Sequence, residues 1–577
     1  MMSVMGRLVF VCLLALAPAA PAAVWTNIGP YGGDSRSLAA DASGNNVFVL
    51  NPRSGVFRSS FGGAWTLVFD AITRSVTPTR VAVDSQNGRV YVGTATGLFR
   101  SDDTGMTWRR VSDDSIVDVT AAADRVIAGT PTALRRSFDA GATWISLLSP
   151  VDSGAVSLVK FDPRSADRLL AVNEGSLFVS DDAGSTWRQL PLTGIVTATF
   201  ADAIYGGGAR GVYSCDPDCS QLGFDAVTEI AYFRGIVHVA VSDGVLKFDS
   251  GRWQRLLANF PDAVQRSLLG TPQELLVGTT AGVYSSIDDV SWTNRSLGLS
   301  NVHIIAMTIA GDSLFASTQE QSVMRRIGDL WTAADSGLTR HPPAPPVTRV
   351  LASDGSILYA GVVAEGLFRS TNLGQSWVDV TAGLPSRDVL DVAADPGIVI
   401  VATPARLVKS NDSGSSWQTF ANYPGITASA VAVKGQLILA GNSSTIYAST
   451  DGGATWQSSA LPSVIKKVTI AGTRAYAVTD FDVFVRSGGS WNRAALPASQ
   501  VNAITMLGSR VFVSLGAGVY LSDDGIQWSL VPGSDTLPAD ITALVADSRF
   551  LYAGTNGGSV FATALLAVPS RVRSVRH

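Results

Sequence analysis

Three regularities of the sequence predict an all-β fold built from one repeated, four-stranded unit. First, the chain of 577 residues contains 13 tryptophans, and each of them ends a short turn. Second, the tryptophans recur about 39 residues apart between Trp25 and Trp528, once a single missing repeat is counted. Third, short apolar segments with a period of two residues lie between the turns, and no segment shows a convincing helical period.

Each repeat contains the same succession of strands. After the tryptophan comes a short strand, followed by a run such as Ile541 to Asp547 and then by a strand such as Leu551 to Thr555. A turn marked by glycine precedes the last strand, as in Gly97 to Arg100. Many copies of such a unit predict a β-propeller, because one blade cannot bury both of its faces and must stack on its neighbours.

The best copies of the turn read Ser-x-Asp-x-Gly-x-Thr-Trp, as from Ser101 to Trp108. The Asp can accept backbone N–H bonds, and the Gly can take a positive φ. The tryptophan would place a large apolar surface between blades, with its N–H near the solvent-exposed edge. We therefore assign structural roles to the following pairs: Asp103 and Trp108, Asp139 and Trp144, Asp182 and Trp187, Asp412 and Trp417, Asp451 and Trp456, and Asp524 and Trp528.

These turns resemble the Asp-box, also called the bacterial neuraminidase repeat, over nearly the whole chain. Proteins with this turn include sialidases, xyloglucanases, sortilin-type receptors and photosystem II assembly factors, so the resemblance indicates fold more than function. It implies that the turns lie at the outer strand connections, away from the axial mouth where ligands bind. Their aspartates are therefore poor catalytic candidates.

The repeat count predicts two tandem seven-bladed propellers. Fourteen outer strands and fourteen groups of three strands are present, which exceeds the usual size of one ring. The chain begins with an unpaired outer strand and ends without one, so we expect each ring to close by pairing its own ends. We expect propellers over residues 23–290 and 291–566. A division into eight and six blades, at the proline-rich insertion 341–346, is the alternative.

The two ends of the chain have features of their own. Residues 1–22 are typical of a signal peptide, with Arg7, an apolar stretch and the sequence Ala20-Pro21-Ala22. Residues 567–577 form a basic tail. No later segment is long and apolar enough to span a membrane. We therefore expect an exported protein, periplasmic or extracellular, and the net charge of −4 argues against nucleic acid as a partner.

Cysteine usage agrees with export. Cys12 lies inside the expected leader, which leaves Cys215 and Cys219. A pair of cysteines in an exported protein favours a disulfide, because zinc would need four ligands. The pair occupies the slot of the missing repeat, where it replaces the Asp turn and its tryptophan. No cofactor or metal motif is recognised.

Two enzyme classes among these relatives can be compared with the residues. A sialidase would need an arginine triad and a Tyr nucleophile and usually has Arg-Ile-Pro near its start, and Arg-Ile-Pro is absent from this sequence. The xyloglucanase family carries its first acid in a Thr-Asp-Ile-Gly-Gly stretch of the first blade, where this chain has Leu50 to Gly55 without a carboxylate. Many arginines recur at one slot before the turn, which is typical of a solvated strand end. His238 occupies a tyrosine slot of the repeat, which indicates packing.

A few acidic residues could face a ligand. Glu174, Glu320 and Glu365 fall between the second and third strands of their repeats, in loops that open on one face of a propeller, and Asp34 lies early in a Gly-Gly-Asp loop. Solvated loop carboxylates and a turn residue are the simpler interpretation. We expect a non-enzymatic scaffold that binds a protein or a glycan through these loops. The alternative is a secreted glycoside hydrolase of the xyloglucanase or sialidase type.

Overall fold

The computed structural model describes residues 24–565, except 72, 85, 148–155, 224–225, 243, 257–264, 301, 320, 339–346, 488, 498–499, 517 and 538–539. The expected leader, the basic tail, the proline-rich insertion and Glu320 lie outside the described residues. The predicted all-β fold is confirmed. Within the described residues, the strands form fourteen antiparallel sheets of four strands, and one turn of 3₁₀-helix spans Ser534–Thr536.

The first seven blades follow one another in chain order. Blade 1 is β2 (Ser37–Ala40), β3 (Asn46–Asn51), β4 (Gly55–Ser60) and β5 (Thr66–Asp70); blade 2 is β6 (Pro78–Asp84), β7 (Arg89–Thr94), β8 (Gly97–Ser101) and β9 (Arg109–Ser112). Blade 3 is β10 (Asp118–Ala122), β11 (Arg125–Gly129), β12 (Leu134–Ser137) and β13 (Ile145–Leu147); blade 4 is β14 (Val156–Asp162), β15 (Ser165–Asn173), β16 (Ser176–Ser180) and β17 (Arg188–Gln189). Blade 5 is β18 (Ile195–Phe200), β19 (Ile204–Gly208), β20 (Gly211–Cys215) and β21 (Cys219–Gly223); blade 6 is β22 (Val227–Phe233), β23 (Ile236–Val241), β24 (Gly244–Asp249) and β25 (Arg252–Arg255). Blade 7 is β26 (Gln265–Gly270), β27 (Leu275–Thr279), β28 (Gly282–Ser286) and β29 (Thr293–Asn294).

The next seven blades repeat this order. Blade 8 is β30 (Ile304–Ala310), β31 (Ser313–Thr318), β32 (Ser322–Ile327) and β33 (Leu330–Ala333); blade 9 is β34 (Thr348–Ser353), β35 (Leu358–Val362), β36 (Gly366–Ser370) and β37 (Val378–Asp379). Blade 10 is β38 (Asp391–Asp395), β39 (Ile398–Ala402), β40 (Leu407–Ser410) and β41 (Gln418–Thr419); blade 11 is β42 (Ala430–Lys434), β43 (Leu437–Asn442), β44 (Thr445–Ser449) and β45 (Gln457–Ala460). Blade 12 is β46 (Ile465–Ala471), β47 (Arg474–Thr479), β48 (Val483–Ser487) and β49 (Ser490–Arg493); blade 13 is β50 (Val501–Leu507), β51 (Arg510–Leu515), β52 (Gly518–Ser522) and β53 (Ser529–Leu530). Blade 14 is β54 (Ile541–Ala546), β55 (Phe550–Thr555), β56 (Val560–Ala564) and, from the start of the chain, β1 (Thr26–Gly29).

The inner strands, which come first in each blade (β54 in blade 14), contact one another in two closed series. The first series joins the inner strands of blades 1 to 7, and β26 returns to β2. The second series joins those of blades 8 to 14, and β54 returns to β30. Apolar clusters fill the space between successive blades, for example around Val159 and Leu169 between blades 3 and 4. Each blade thus buries its faces against its neighbours.

In several blades, a tryptophan hydrogen bond connects the turn to the blade before it. The Nε1–H of Trp108 donates to the Val68 carbonyl at 2.7 Å, and that of Trp417 donates to the Val380 carbonyl at 2.9 Å. Two such bonds join the ends of the two series. Trp65 of blade 1 donates to the Arg295 carbonyl after blade 7, and Trp331 of blade 8 donates to the Ile28 carbonyl of β1 at 2.6 Å. These N–H groups lie against a neighbouring backbone and not at a solvent-exposed edge as expected.

The expectation that each ring closes with its own ends is wrong. The strand after Trp292, β29, pairs with β28 of its own blade, so a boundary at residue 290 would separate it from that blade. The first strand of the chain, β1, pairs with β56 of the last blade. The two chain ends therefore close blade 14 together, and blades 1 to 7 lie between β1 and β30 along the sequence.

Two faces of the blades are distinguished by their connections. The turns that end in tryptophan, between third and fourth strands, lie on what we term the Asp-box face. The loops between second and third strands, and those that lead to the next blade, lie at the other ends of the strands, on what we term the loop face. Contacts between the two series occur there. Ser54 Oγ donates to the Gly557 carbonyl at 3.0 Å, and Gln321 Nε2 donates to the Ala281 carbonyl at 2.9 Å.

Replacing Trp331 with phenylalanine tests the closure of the second series. The change Trp331→Phe keeps an aromatic ring but leaves the Ile28 carbonyl without this donor, so we expect the free energy of unfolding to fall by about 1–2 kcal/mol. Trp187→Phe is the matched control, because that N–H bonds only the Gly184 carbonyl of its own turn, at 3.1 Å. Urea unfolding curves measure both variants, and equal midpoints for the two would contradict the assignment.

Candidate functional site

The aspartates of the Asp-box turns have their carboxylates committed to the turn itself. Asp103 Oδ1 accepts the Thr107 backbone N–H and the Ser101 hydroxyl, each at 2.8 Å, and Oδ2 accepts the Thr107 hydroxyl at 2.6 Å. The bonds from Thr107 lower the pKa of Asp103 to about 2. Asp139 has the same partners in its own turn, with a pKa of about 2. Carboxylates held ionised in this way cannot supply a proton as general acids near neutral pH.

A second kind of bond connects six of the turns to the preceding blade: a basic side chain of that blade's third strand donates to a carbonyl of the turn. Arg100 Nη1 donates to the Ala140 carbonyl at 2.6 Å, and Arg369 Nη1 donates to the Ser413 carbonyl at 2.8 Å. Each acceptor belongs to the positive-φ residue that follows the Asp of the next turn. Arg58, Arg136, Arg325 and Lys409 bond the equivalent carbonyls of Thr104, Ala183, Leu373 and Gly452.

The interpretation of these recurring arginines as solvated strand ends is therefore wrong for Arg58, Arg100, Arg136 and Arg369. Their guanidinium groups bridge two blades, and Arg100 is only 7% exposed. Arg486 differs, because its Nη2 donates to Gln457 Oε1. The sequence shows that the basic slot recurs, but not that its guanidinium meets a carbonyl of the next turn. A guanidinium suits this role because it offers several N–H donors in a fixed plane.

One interface uses charge where the others use a carbonyl. Between blades 6 and 7, Lys247 takes the arginine slot and Asp289 takes the positive-φ position. Lys247 Nζ lies 3.6 Å from Asp289 Oδ2, and His238 Nε2 lies 3.4 Å from Asp289 Oδ1. His238 is fully buried in the tyrosine slot, with Nδ1 3.1 Å from the Ile236 carbonyl. Burial lowers the pKa of the His238 imidazole, and the Asp289 carboxylate partly opposes this effect.

This interface should make stability depend on pH. Because the pKa of His238 is lower in the folded protein, the unfolded chain binds protons more readily below the ordinary value of about 6.5. We expect stability to fall as the pH drops from 7 to 5, by at most about 1.4 kcal/mol per pH unit from this group.

The variant His238→Tyr, which restores the side chain found at this slot in other blades, should flatten that part of the profile. Urea midpoints of both proteins at several pH values measure the effect. Since the Asp-box carboxylates titrate well below pH 5, they do not contribute in this window. Parallel profiles for the two proteins would contradict the assignment.

The cysteine pair closes the turn of blade 5. Cys215 and Cys219 form a disulfide at the ends of β20 and β21, where the other blades carry an Asp-box. The two residues face each other in the strand pairing. The covalent bond thus stands where the Asp hydrogen bonds stand elsewhere, and the tryptophan of that turn is missing.

The candidate loop carboxylates lie in different blades. Asp34 precedes blade 1, and its carboxylate contacts Arg36 Nε at 2.7 Å and Arg266 Nε at 3.4 Å. Glu174, in blade 4, is exposed and adopts a φ of 47° in a two-residue turn. Glu365, in blade 9, is half-buried, and its backbone carbonyl accepts a bond from Arg387 Nη1 at 2.8 Å.

The segment that stands where xyloglucanases carry an acid is a capped turn. Asn51 Oδ1 accepts the backbone N–H groups of Arg53 and Ser54, each at 2.9 Å, and Asn51 Nδ2 donates to the Asp34 carbonyl. Arg53 Nη1 extends to the second series, where it lies 3.3 Å from Gln319 Oε1 and 3.2 Å from His303 Nδ1. This place therefore holds a cation and an amide, and joins the two series.

Charged side chains of the first series converge at its axis, which sequence reasoning missed. The Arg80 guanidinium of blade 2 contacts the Asp118 carboxylate of blade 3, whose Oδ2 also accepts the Val159 N–H at 2.7 Å. Across the axis, Lys160 Nζ lies 3.3 Å from Glu229 Oε1. The signal in the sequence was a charged residue within an apolar inner strand. The pattern of a single strand does not show that four blades bring these charged side chains together.

The described residues show neither a metal site nor a membrane helix. No group of three or more His, Cys, Asp or Glu side chains is placed to hold a metal ion among them. Within the same residues, no helix is long and apolar enough to cross a membrane.

Comparisons with known proteins support the architecture. No protein-family model matches the sequence, and no curated protein matches it. Among solved structures, the GH74 enzyme of Niastella koreensis is 14% identical and has a TM-score of 0.70, with 95% of this chain and 100% of that chain covered. The GH74 xyloglucanase of Xanthomonas campestris is 17% identical with a TM-score of 0.70, covering 94% of this chain and 100% of that one.

A third similar structure is not described as an enzyme. PorZ of Porphyromonas gingivalis, a bacterial surface component of the type-IX secretion system, is 14% identical with a TM-score of 0.60, and 94% of this chain and 86% of that chain are covered. At these identities the likeness establishes the fold and not the activity. The blade architecture and these neighbours together show that the chain has a β-propeller fold.

Proposed function

We propose that this chain is an exported, non-enzymatic double β-propeller that binds a protein or glycan partner through its loop face. The observation that carries the proposal is the segment from Asn51 to Gly55. A glycoside hydrolase needs an acid and a base on opposite sides of the scissile bond. In this chain, the segment that corresponds to the first acid of xyloglucanases has no carboxylate. It holds the Asn51 amide, which caps its own turn, and Arg53, which contacts Gln319 and His303.

The described loop residues support the same proposal. Of the candidate carboxylates, Asp34 is neutralised by two arginines, and Glu174 and Glu365 lie in separate blades. The aspartates of the turns lie on the opposite, Asp-box face, where their oxygens accept bonds within the turn. All 13 tryptophans are at least half-buried, so none of them offers a free platform for stacking on a sugar.

We propose two propellers of seven blades each. The first would comprise residues 37–294, and the second residues 304–564 together with 26–29. The closed series of inner-strand contacts and the two tryptophan bonds at their ends support this division. The alternative division into eight and six would separate blade 8 from blade 14, whose inner strands are in contact.

Proteolysis tests this division. A protease site inserted beside the exposed Leu297, between blades 7 and 8, should be cut to give two fragments. Because β1 on the first fragment pairs with β56 on the second, we expect the fragments to remain together on gel filtration until denaturant is added. Fragments that separate in buffer alone would refute the assignment of β1 to the second propeller.

A secreted glycoside hydrolase is the second candidate, favoured by the likeness to GH74 structures over nearly the whole chain. Incubation of the purified protein with xyloglucan, β-glucans and sialosides distinguishes the two. We expect no reducing-sugar or sialic-acid release. Turnover that is lost in Glu174→Gln or Glu365→Gln, but kept in the turn variant Asp103→Asn, would overturn the scaffold proposal.

A further inference from the structure

The axis of the first series presents a ring of charged and polar side chains on the loop face. Six of its blades supply one from the first three residues of the inner strand or just before it: Arg36, Arg80, Asp118, Thr197, Glu229 and Arg266. Because inner strands begin on the loop face, these side chains lie at the mouth of the axis that faces the second series. Blade 4 supplies Lys160 from the fifth residue of β14, and its Nζ lies 3.3 Å from Glu229 Oε1.

The cations and anions of this ring differ in exposure. The side chains of Arg80, Lys160, Arg266 and Arg36 are 24%, 31%, 41% and 55% exposed. Those of Asp118, Glu229 and Asp34 are only 2%, 13% and 23% exposed. The carboxylates are therefore more buried than the cations they contact, and the charge more exposed to solvent in this ring is positive.

The buried carboxylates also fix the cations in position. Asp118 holds Arg80 and is itself held by the Val159 N–H, and it raises the pKa of the Arg80 guanidinium further above its usual range. Glu229 accepts a bond from the Thr197 hydroxyl at 2.8 Å as well as from Lys160. Side chains anchored in this way lose little conformational freedom when an anion binds, which favours affinity.

We propose that this mouth, which we term the axial site, binds carboxylate side chains of an acidic peptide segment in the protein partner. Guanidinium and ammonium groups whose outer N–H atoms face solvent are suited to carboxylates. A peptide is favoured over an acidic glycan because a glycan site would be expected to offer exposed aromatic rings on which sugars can stack. Among the described residues, the exposed large aromatics are Phe61, Phe138 and Phe481. Phe61 and Phe138 lie on the Asp-box face, and Phe481 lies on the loop face of blade 12, in the second series.

This inference rests on the proposed scaffold function and narrows its partner to a protein with an acidic segment. Fluorescence anisotropy with a labelled hexaglutamate peptide tests it on the full mature chain. We expect saturable binding that weakens steeply when salt is raised, and no binding of a hexaglutamine peptide. An oligogalacturonide with the same number of carboxylates serves as the glycan arm.

Variants locate the site. We expect Arg266→Ala and Lys160→Met each to weaken hexaglutamate binding about tenfold, the effect of losing one charge-assisted hydrogen bond. Arg266→Glu should abolish it. Arg486→Ala, which removes an arginine near the Asp-box face of the second series, is the matched control and should bind like the parent protein. Unchanged urea midpoints establish that each variant is folded, and Arg36→Ala replaces any variant that is not.

The outcomes separate this inference from the function it rests on. Absence of hexaglutamate binding, or equal binding by the parent and all variants, would overturn the axial site while leaving the scaffold function standing. Binding of the oligogalacturonide but not of the peptide would overturn the peptide assignment. Turnover in the glycan panel would instead overturn the scaffold function, whatever the peptide does.

Discussion

The packing of one blade on the next depends on the turn that precedes each tryptophan. Within a blade, the Asp of this turn accepts N–H and hydroxyl bonds and sets the turn geometry. Between blades, the turn both donates and accepts hydrogen bonds. The tryptophan N–H reaches back to a carbonyl of the preceding blade, and the positive-φ residue offers its carbonyl to a basic side chain of that blade. Since buried backbone carbonyls need donors, these bonds fix the offset between blades while apolar contacts supply most of the stabilisation.

The two series share this outer framework but differ at their axes. In the first series, Arg80, Asp118, Lys160 and Glu229 form two ion pairs there. In the second, the carboxylate Asp391 occupies the start of the third inner strand, as Asp118 does in the first, and accepts the Val431 N–H at 2.9 Å. Ion pairs of this kind contribute little net stability.

Much of the fold could be predicted from the sequence because the repeat is defined by interactions between residues that are close in the chain. The spacing of the tryptophans and the Ser-x-Asp-x-Gly turns depend on residues close in the chain, so the blades and their number followed. What could not be predicted depends on distant contacts. The pairing of β1 with β56 is one example, since nothing in Thr26–Gly29 specifies a partner at the other end of the chain. The arginine bonds to the next turn are another, because an isolated strand end gives no indication of what covers it. The axial charges were missed because each lies alone in its own apolar strand.

The place of β1 has a consequence for the order in which the molecule forms. Blades 1 to 7 are continuous in the chain, so their contacts can all be made as soon as β29 has been synthesised. Blade 14 receives its outer strand from the opposite end, where the side chain of Asn27 bonds the Gly558 carbonyl, 531 residues away in sequence. Strand β1 precedes the other strands in the chain but can pair only after β56 has been synthesised. Until the two strands pair, the edges of both lack their partner. Such a long-range pairing is slow to form and exposes a strand edge to other chains, so we expect this protein to be most prone to aggregation before β1 and β56 have paired.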